Sequence, residues 1–264
     1  MRALWLSLLL AVACAQATVA GSDGATVDVG VPIDAPATDA ATDAPAIDAS
    51  TCANQPCDVY SQCGCAAAAP VCDLDPTMLA SGATACRTDM FGGTEPTLCT
   101  RSTTCAAGHS CVGGRCRRFC ETDGACPGDG AVCIISVTTG NPPVTIPGVT
   151  MCTTSCTPTS AANPSCPTGW ACHVYFDTPG NRYLTDCAAP PATGGAAGAT
   201  CASSADCRPG LDCITLNPGG PQCRPTCLCT GGNCAAGACP AGTGSCRGFM
   251  TPVIIGAATY GACF

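Results

Sequence analysis

The chain has 264 residues, among them 29 cysteines, ten basic residues, 18 acidic residues and two histidines, with a net charge of −8. From Thr51 onward only 36 of 214 residues are large and apolar, too few to bury one large core. The acidic balance excludes a nucleic-acid footprint, which needs a basic face.

Every basic residue is Arg. With so much Ala, Gly and Pro, this points to a GC-rich bacterial genome. Residues 1–17 read as an export signal. Arg2 is its charged start, and Ala3 to Ala13 is an apolar run too short to span a bilayer. Two processing routes compete. Ala11-Val12-Ala13-Cys14 is similar to a bacterial lipobox, which makes Cys14 the lipidated first residue of an outer-membrane lipoprotein. Ala15-Gln16-Ala17 is a small-x-small site for ordinary signal peptidase, which releases the chain as a secreted protein. The apolar run ends directly at Cys14, which favours the lipoprotein, although Leu10 stands one place too early and Ala11 fills its slot. Setting Cys14 aside leaves 28 cysteines. An even number in an exported chain reads as 14 disulfides.

Residues 18–51 read as a disordered tether. Between Gly21 and Ser50 an Asp-Ala-(Pro/Ala) pattern supplies six Asp and no base. Proline blocks helix and like charges repel, so the segment is an extended, solvated spacer.

The cysteines then fall into a four-cysteine unit repeated six times. Residues 52–86 hold the first, Cys57, Cys65, Cys72 and Cys86. Residues 99–187 hold a block of three: Cys99, Cys105, Cys111, Cys116; Cys120, Cys126, Cys133, Cys152; and Cys156, Cys166, Cys172, Cys187. Residues 201–263 hold a block of two: Cys201, Cys207, Cys213, Cys223; and Cys227, Cys239, Cys246, Cys263. Cys52, Cys63, Cys229 and Cys234 make two extra local pairs. Spacers carrying Gly92-Gly93 and Gly194-Gly195 separate the blocks and read as hinges. In each unit the third and fourth cysteines flank a turn. Cys111-Val112-Gly113-Gly114-Arg115-Cys116 is a two-residue Gly-Gly hairpin. The segment from Trp170 through Tyr175 and Phe176 to Tyr183 is an aromatic version. The expected fold is therefore small and disulfide-rich: tandem short β-hairpin units, loop-rich, with little helix and no large hydrophobic core.

The lipobox-like signal, the Asp-Ala-Pro tether and the C-x5-C-x5-C runs from Cys99 to Cys116 and Cys201 to Cys223 together resemble cysteine-rich secreted proteins and lipoproteins of myxobacteria and their relatives. That resemblance implies an architecture and supplies no catalytic residues. Four cysteines allow three connectivities, among which spacing does not choose. Resemblance to other small disulfide modules implies that the first bonds the third and the second the fourth.

Candidate chemistry is sparse. Cys63-Gly64-Cys65 and Cys227-Leu228-Cys229 have thiolate spacing for a metal, but export favours disulfides. His109-Ser110 pairs a base with a nucleophile, yet neighbours on a strand point to opposite faces. No catalytic residue, metal site or cofactor is expected. Two patches are candidate contacts. Arg115, Arg117, Arg118 and Phe119, with Arg101 nearby, form the basic cluster; Trp170, Tyr175, Phe176 and Tyr183 form either a mini-core or an exposed strip. The chain reads as a non-enzymatic cell-surface or secreted protein that binds a protein or envelope component, touching a membrane only through a lipid on Cys14. The alternative is a secreted inhibitor or toxin-like binder whose loop Asn141-Pro142-Pro143-Val144-Thr145-Ile146-Pro147 enters a target cleft.

Overall fold

The computed structural model describes residues 16–18, 56–88, 92–140, 142–189, 194–216 and 219–264. Cys14, Cys52 and most of the tether lie outside them. The described chain is a string of antiparallel hairpins joined by loops and short 3-10 turns. A short strand β1 (Gln16–Thr18) runs along the edge of β6. The hairpins are β2 (Val71–Leu74) with β3 (Thr84–Arg87), and β4 (His109–Val112) with β5 (Arg115–Arg118). Next come β6 (Cys133–Thr139) with β7 (Val144–Cys152), and β8 (Ala171–Asp177) with β9 (Arg182–Ala188). Last are β10 (Leu211–Leu216) with β11 (Gly220–Cys229), and β12 (Cys246–Ile255) with β13 (Ala258–Cys263). β13 also pairs with β11, giving a sheet in the order β10-β11-β13-β12. No helix of the described residues is long and apolar enough to cross a membrane.

One rule generates every unit. The third and fourth cysteines stand directly opposite each other on the hairpin, as Cys111 does Cys116 and Cys213 does Cys223. Opposite residues project from the same face of a sheet. They do not bond each other; each reaches back to the loop. The first cysteine bonds the third and the second bonds the fourth: Cys57–Cys72 and Cys65–Cys86, Cys99–Cys111 and Cys105–Cys116, Cys120–Cys133 and Cys126–Cys152. The same holds for Cys156–Cys172 and Cys166–Cys187, Cys201–Cys213 and Cys207–Cys223, Cys227–Cys246 and Cys239–Cys263. Cys229–Cys234 is an extra local pair, and Cys63 is also disulfide-bonded. Each loop is thus stapled across one face of its own hairpin. Gly113 and Gly114 both have positive φ, 63° and 82°, as the tight two-residue turn requires.

Gly93 and Gly195 of the two spacers are docked, while spacer residues 89–91 and 190–193 lie outside the described residues. Gly93 donates its N–H to the Thr104 carbonyl at 3.0 Å and accepts from Ala106 N–H at 2.7 Å, docking beside Cys105. Gly195 makes the same two bonds, to Asp206 and Arg208, beside Cys207. Each glycine is therefore the first residue of its unit. A Cβ on Gly93 would lie 2.7 Å from the Thr104 oxygen, and one on Gly195 3.1 Å from the Cys223 sulfur. Close backbone approach, rather than flexibility, selects glycine here.

Apolar side chains gather where units meet. Val59, Leu74, Val112, Phe119, Ile135 and Met151 belong to one buried cluster that spans the first three units. Val253, Ile255 and Tyr260 of the sixth unit pack with Val174 and Tyr183 of the fourth. Apolar contacts thus join units on either side of both spacers.

Candidate functional site

Most of the basic cluster is turned inward. Arg115 is 0% exposed and Arg117 4% exposed. They share one face of β5 because strand side chains alternate. Both converge on Asp186 of β9, which stands 2.7 Å from Arg117 Nη2 and hydrogen-bonds Arg115 Nη2. Asp186 also accepts from Thr154 N–H at 2.9 Å, and Arg117 donates to the Cys152 carbonyl at 3.1 Å. Burial pushes the Asp186 carboxyl up, but Arg115 and Arg117 outweigh it and hold it well below the usual carboxylate range. Trp170 lies over the Arg115 guanidinium at 5.7 Å. Phe119 is buried in the apolar cluster of the first three units. Only Arg118 and Arg101 remain exposed. The cluster locks the second unit to the fourth.

A matching junction joins the first unit to the second. Arg87 Nε donates to Asp73 at 2.7 Å, and its Nη2 reaches the Cys105 and His109 carbonyls at 2.9 and 3.3 Å. Asp73 pairs with Arg87, while Asp75 accepts from Thr77 in its own turn.

Other sequence candidates are placed as follows. Ser110 is buried and 2.9 Å from Ser102 Oγ, while His109 Nδ1 turns to the Ala107 carbonyl at 3.0 Å. The two do not form a catalytic pair. Cys63, Cys65, Cys227 and Cys229 are all disulfide-bonded, so the close sulfur clusters are adjacent disulfides rather than thiolates. Val144 to Pro147 is not a free loop. It belongs to β7, and Ile146 is buried in the core of the first three units.

The aromatic segment divides. Trp170 serves Arg115, and Tyr183 packs toward the sixth unit. Tyr175 and Phe176 line a pocket of about 360 Å³ between the fourth, fifth and sixth units. Tyr183, Phe249 and Tyr260 complete its aromatic lining. Phe176 stands 5.0 Å from Tyr183 and is 38% exposed at the surface. One wall has an unusual origin. In the β12–β13 ladder, Gly248 pairs with Gly261 and Val253 with the adjacent Tyr260. The four residues Phe249 to Pro252 therefore leave the ladder as an excursion. Phe249 and Thr251 of that excursion line the pocket, and Met250 is fully exposed. Such irregularities re-aim side chains beside functional sites.

Asp212 of β10 and Thr226 of β11 also line the pocket and are buried. Asp212 Oδ1 accepts from Val174 N–H at 3.2 Å and lies 3.1 Å from His173 Nδ1. Asp212 Oδ2, Thr226 Oγ1 and His173 Nε2 have no hydrogen-bond partner. Burial, together with Asp186 and Asp212, pushes the Tyr175 phenol up and keeps it protonated. Sequence reasoning reached Tyr175, Phe176 and Tyr183 but missed Asp212, Thr226, Phe249 and Tyr260. Their signal was weak: the only cue was the apolar-aromatic run beginning at Phe249.

The fold defines a class, the disulfide-rich array of tandem hairpins. Comparison with protein-family models, curated proteins and solved structures finds no match.

Proposed function

We propose that the protein is an exported, non-enzymatic interaction module of the cell envelope or its surroundings. Its contact site is the aromatic pocket where the fourth, fifth and sixth units meet. The observation that carries this reading is the four-residue excursion of β12. It leaves Met250 fully exposed beside an aromatic-lined recess instead of completing the ladder. Exposed apolar side chains next to a concave aromatic site are a usual form of binding surface. Disulfides within each unit hold such a surface without a large core. The resemblance to envelope proteins and the lipobox-like Cys14 are in keeping with display on a tether.

A photo-crosslinking residue at Met250, used on intact producing cells and read by mass spectrometry, tests the proposal. A recurrent adduct to one envelope component is expected. Labelling at Met250 no different from labelling at exposed Arg101 would overturn it. In parallel, Cys14→Ser should release the protein from membranes; unchanged detergent partitioning would remove the anchor.

A further inference from the structure

We propose that this pocket binds a protonated aliphatic amine, an inference that rests on the interaction reading and names its ligand chemistry. Three observations converge. The pocket has an aromatic lining, in which Tyr175, Phe249 and Tyr260 come from different strands. Aromatic faces attract cations. A carboxylate, Asp212, and a hydroxyl, Thr226, both line the pocket and each keeps an acceptor oxygen without a partner. A buried acceptor left unsatisfied is costly, and a charged one more so. No basic residue lines the pocket.

The ligand must therefore bring both positive charge and N–H donors. An anion would face the Asp212 carboxylate, whose close basic neighbour, His173 Nδ1 at 3.1 Å, is already engaged with Oδ1, and no basic residue lines the pocket. A quaternary ammonium would suit the rings but could donate nothing to Asp212 Oδ2 or Thr226 Oγ1. A primary or secondary ammonium with a short apolar body meets all three demands. About 360 Å³ admits a chain of several carbons, at the lower end of the usual range for ligand pockets. The same chemistry is carried by a free alkylamine and by a lysine side chain of another polypeptide.

The test titrates the oxidised, full-length protein with n-butylammonium chloride, followed by NMR of its aromatic signals. The neutral isostere 1-butanol is the control. Saturable binding of the ammonium is expected, roughly tenfold or more tighter than 1-butanol. Asp212→Asn should erase that preference. Because Asp212 also holds His173 and Val174, a second variant guards against misfolding. Phe249→Leu lies on the excursion, away from that contact, and should weaken the amine roughly three- to tenfold. Nα-acetyl-lysine N-methylamide, run in parallel, separates the sources: tighter binding than n-butylammonium marks a polypeptide lysine, and weaker binding marks a free amine. Equal binding of the ammonium and 1-butanol, binding of neither, or preferential saturation by glucose would each overturn the proposal. Failed amine binding with persistent cross-links at Met250 would remove only the ligand assignment. Amine binding without a cellular cross-link would remove only the envelope partner.

Discussion

His173 and Asp186 stand opposite each other on the β8–β9 hairpin, yet they make two different junctions. Asp186 seals the fourth unit to the second, and both of its oxygens are used by Arg115, Arg117 and the Thr154 N–H. His173 joins the fourth unit to the fifth through Asp212, and there Asp212 Oδ2, His173 Nε2 and the nearby Thr226 Oγ1 stay unpartnered. The first carboxylate is completed by the protein itself. The second is left incomplete beside an open aromatic recess. The difference lies in the carboxylates themselves: both Asp186 oxygens are engaged, although Arg115 Nε and Nη1, Arg117 Nε and Glu95 Oε1 around it have no partner, whereas Asp212 keeps one oxygen unpaired beside the recess.

The comparison breaks most visibly at Asp186. Asp186→Ala should cost about 3–5 kcal/mol, because two buried guanidinium groups lose their counter-charge. Chemical denaturation measures it, and a loss below about 1 kcal/mol would reduce the junction to a surface pair. Its pH dependence has a definite sign. The folded carboxyl titrates below its ordinary value of 3.8. The contribution is therefore fully present above about pH 4 and fades only as pH falls further towards the folded value. Denaturation midpoints of wild type and Asp186→Ala should stay apart at pH 4 and draw together in stronger acid.

The staple within a unit comes next. Cys207→Ser with Cys223→Ser removes one bridge of the fifth unit and should cost roughly 2–4 kcal/mol. Limited proteolysis should open residues 201–263 while residues 99–187 stay resistant. Gly93→Ala should cost about 1–3 kcal/mol, because the new Cβ meets the Thr104 carbonyl within the second unit. A true hinge would tolerate the change, so an unaltered melting temperature would restore the hinge reading. Asp212→Asn should be the mildest, at about 1–2 kcal/mol, since the carboxylate makes fewer contacts than Asp186. A cost equal to that of Asp186→Ala would erase the distinction between the two carboxylates.

What the sequence made legible follows from range. Each unit closes within a few tens of residues, so cysteine spacing and turn glycines outline it directly. The repeated hairpins and the sparse core could be read for that reason. The partner of Arg115 and Arg117 lies about 70 residues away at Asp186, on another hairpin. A run of arginines next to Phe119 reads as surface until that acid is known. Their spacing of two, which puts both on one face, was the available hint of a shared partner. Gly93 and Gly195 are hard to read for a related reason. Glycine pairs signal flexibility and close approach alike, and the docking strand beside Cys105 or Cys207 decides between them. The pocket was half legible, because Tyr175 and Phe176 are local to one hairpin while Asp212 and Phe249 arrive from the next two units.

The central claim is that covalent bonds close each unit while buried ion pairs and apolar contacts join one unit to another. Among the described residues, every disulfide with both cysteines placed lies inside a single unit, with separations from 5 to 26 residues. Non-reducing peptide mapping of the purified protein by mass spectrometry tests this directly. The expected map contains Cys99 linked to Cys111, Cys105 to Cys116, and the same first-to-third and second-to-fourth order in all six units. A cross-link between peptides of two different units, such as one joining residues 99–116 to residues 156–187, would contradict it.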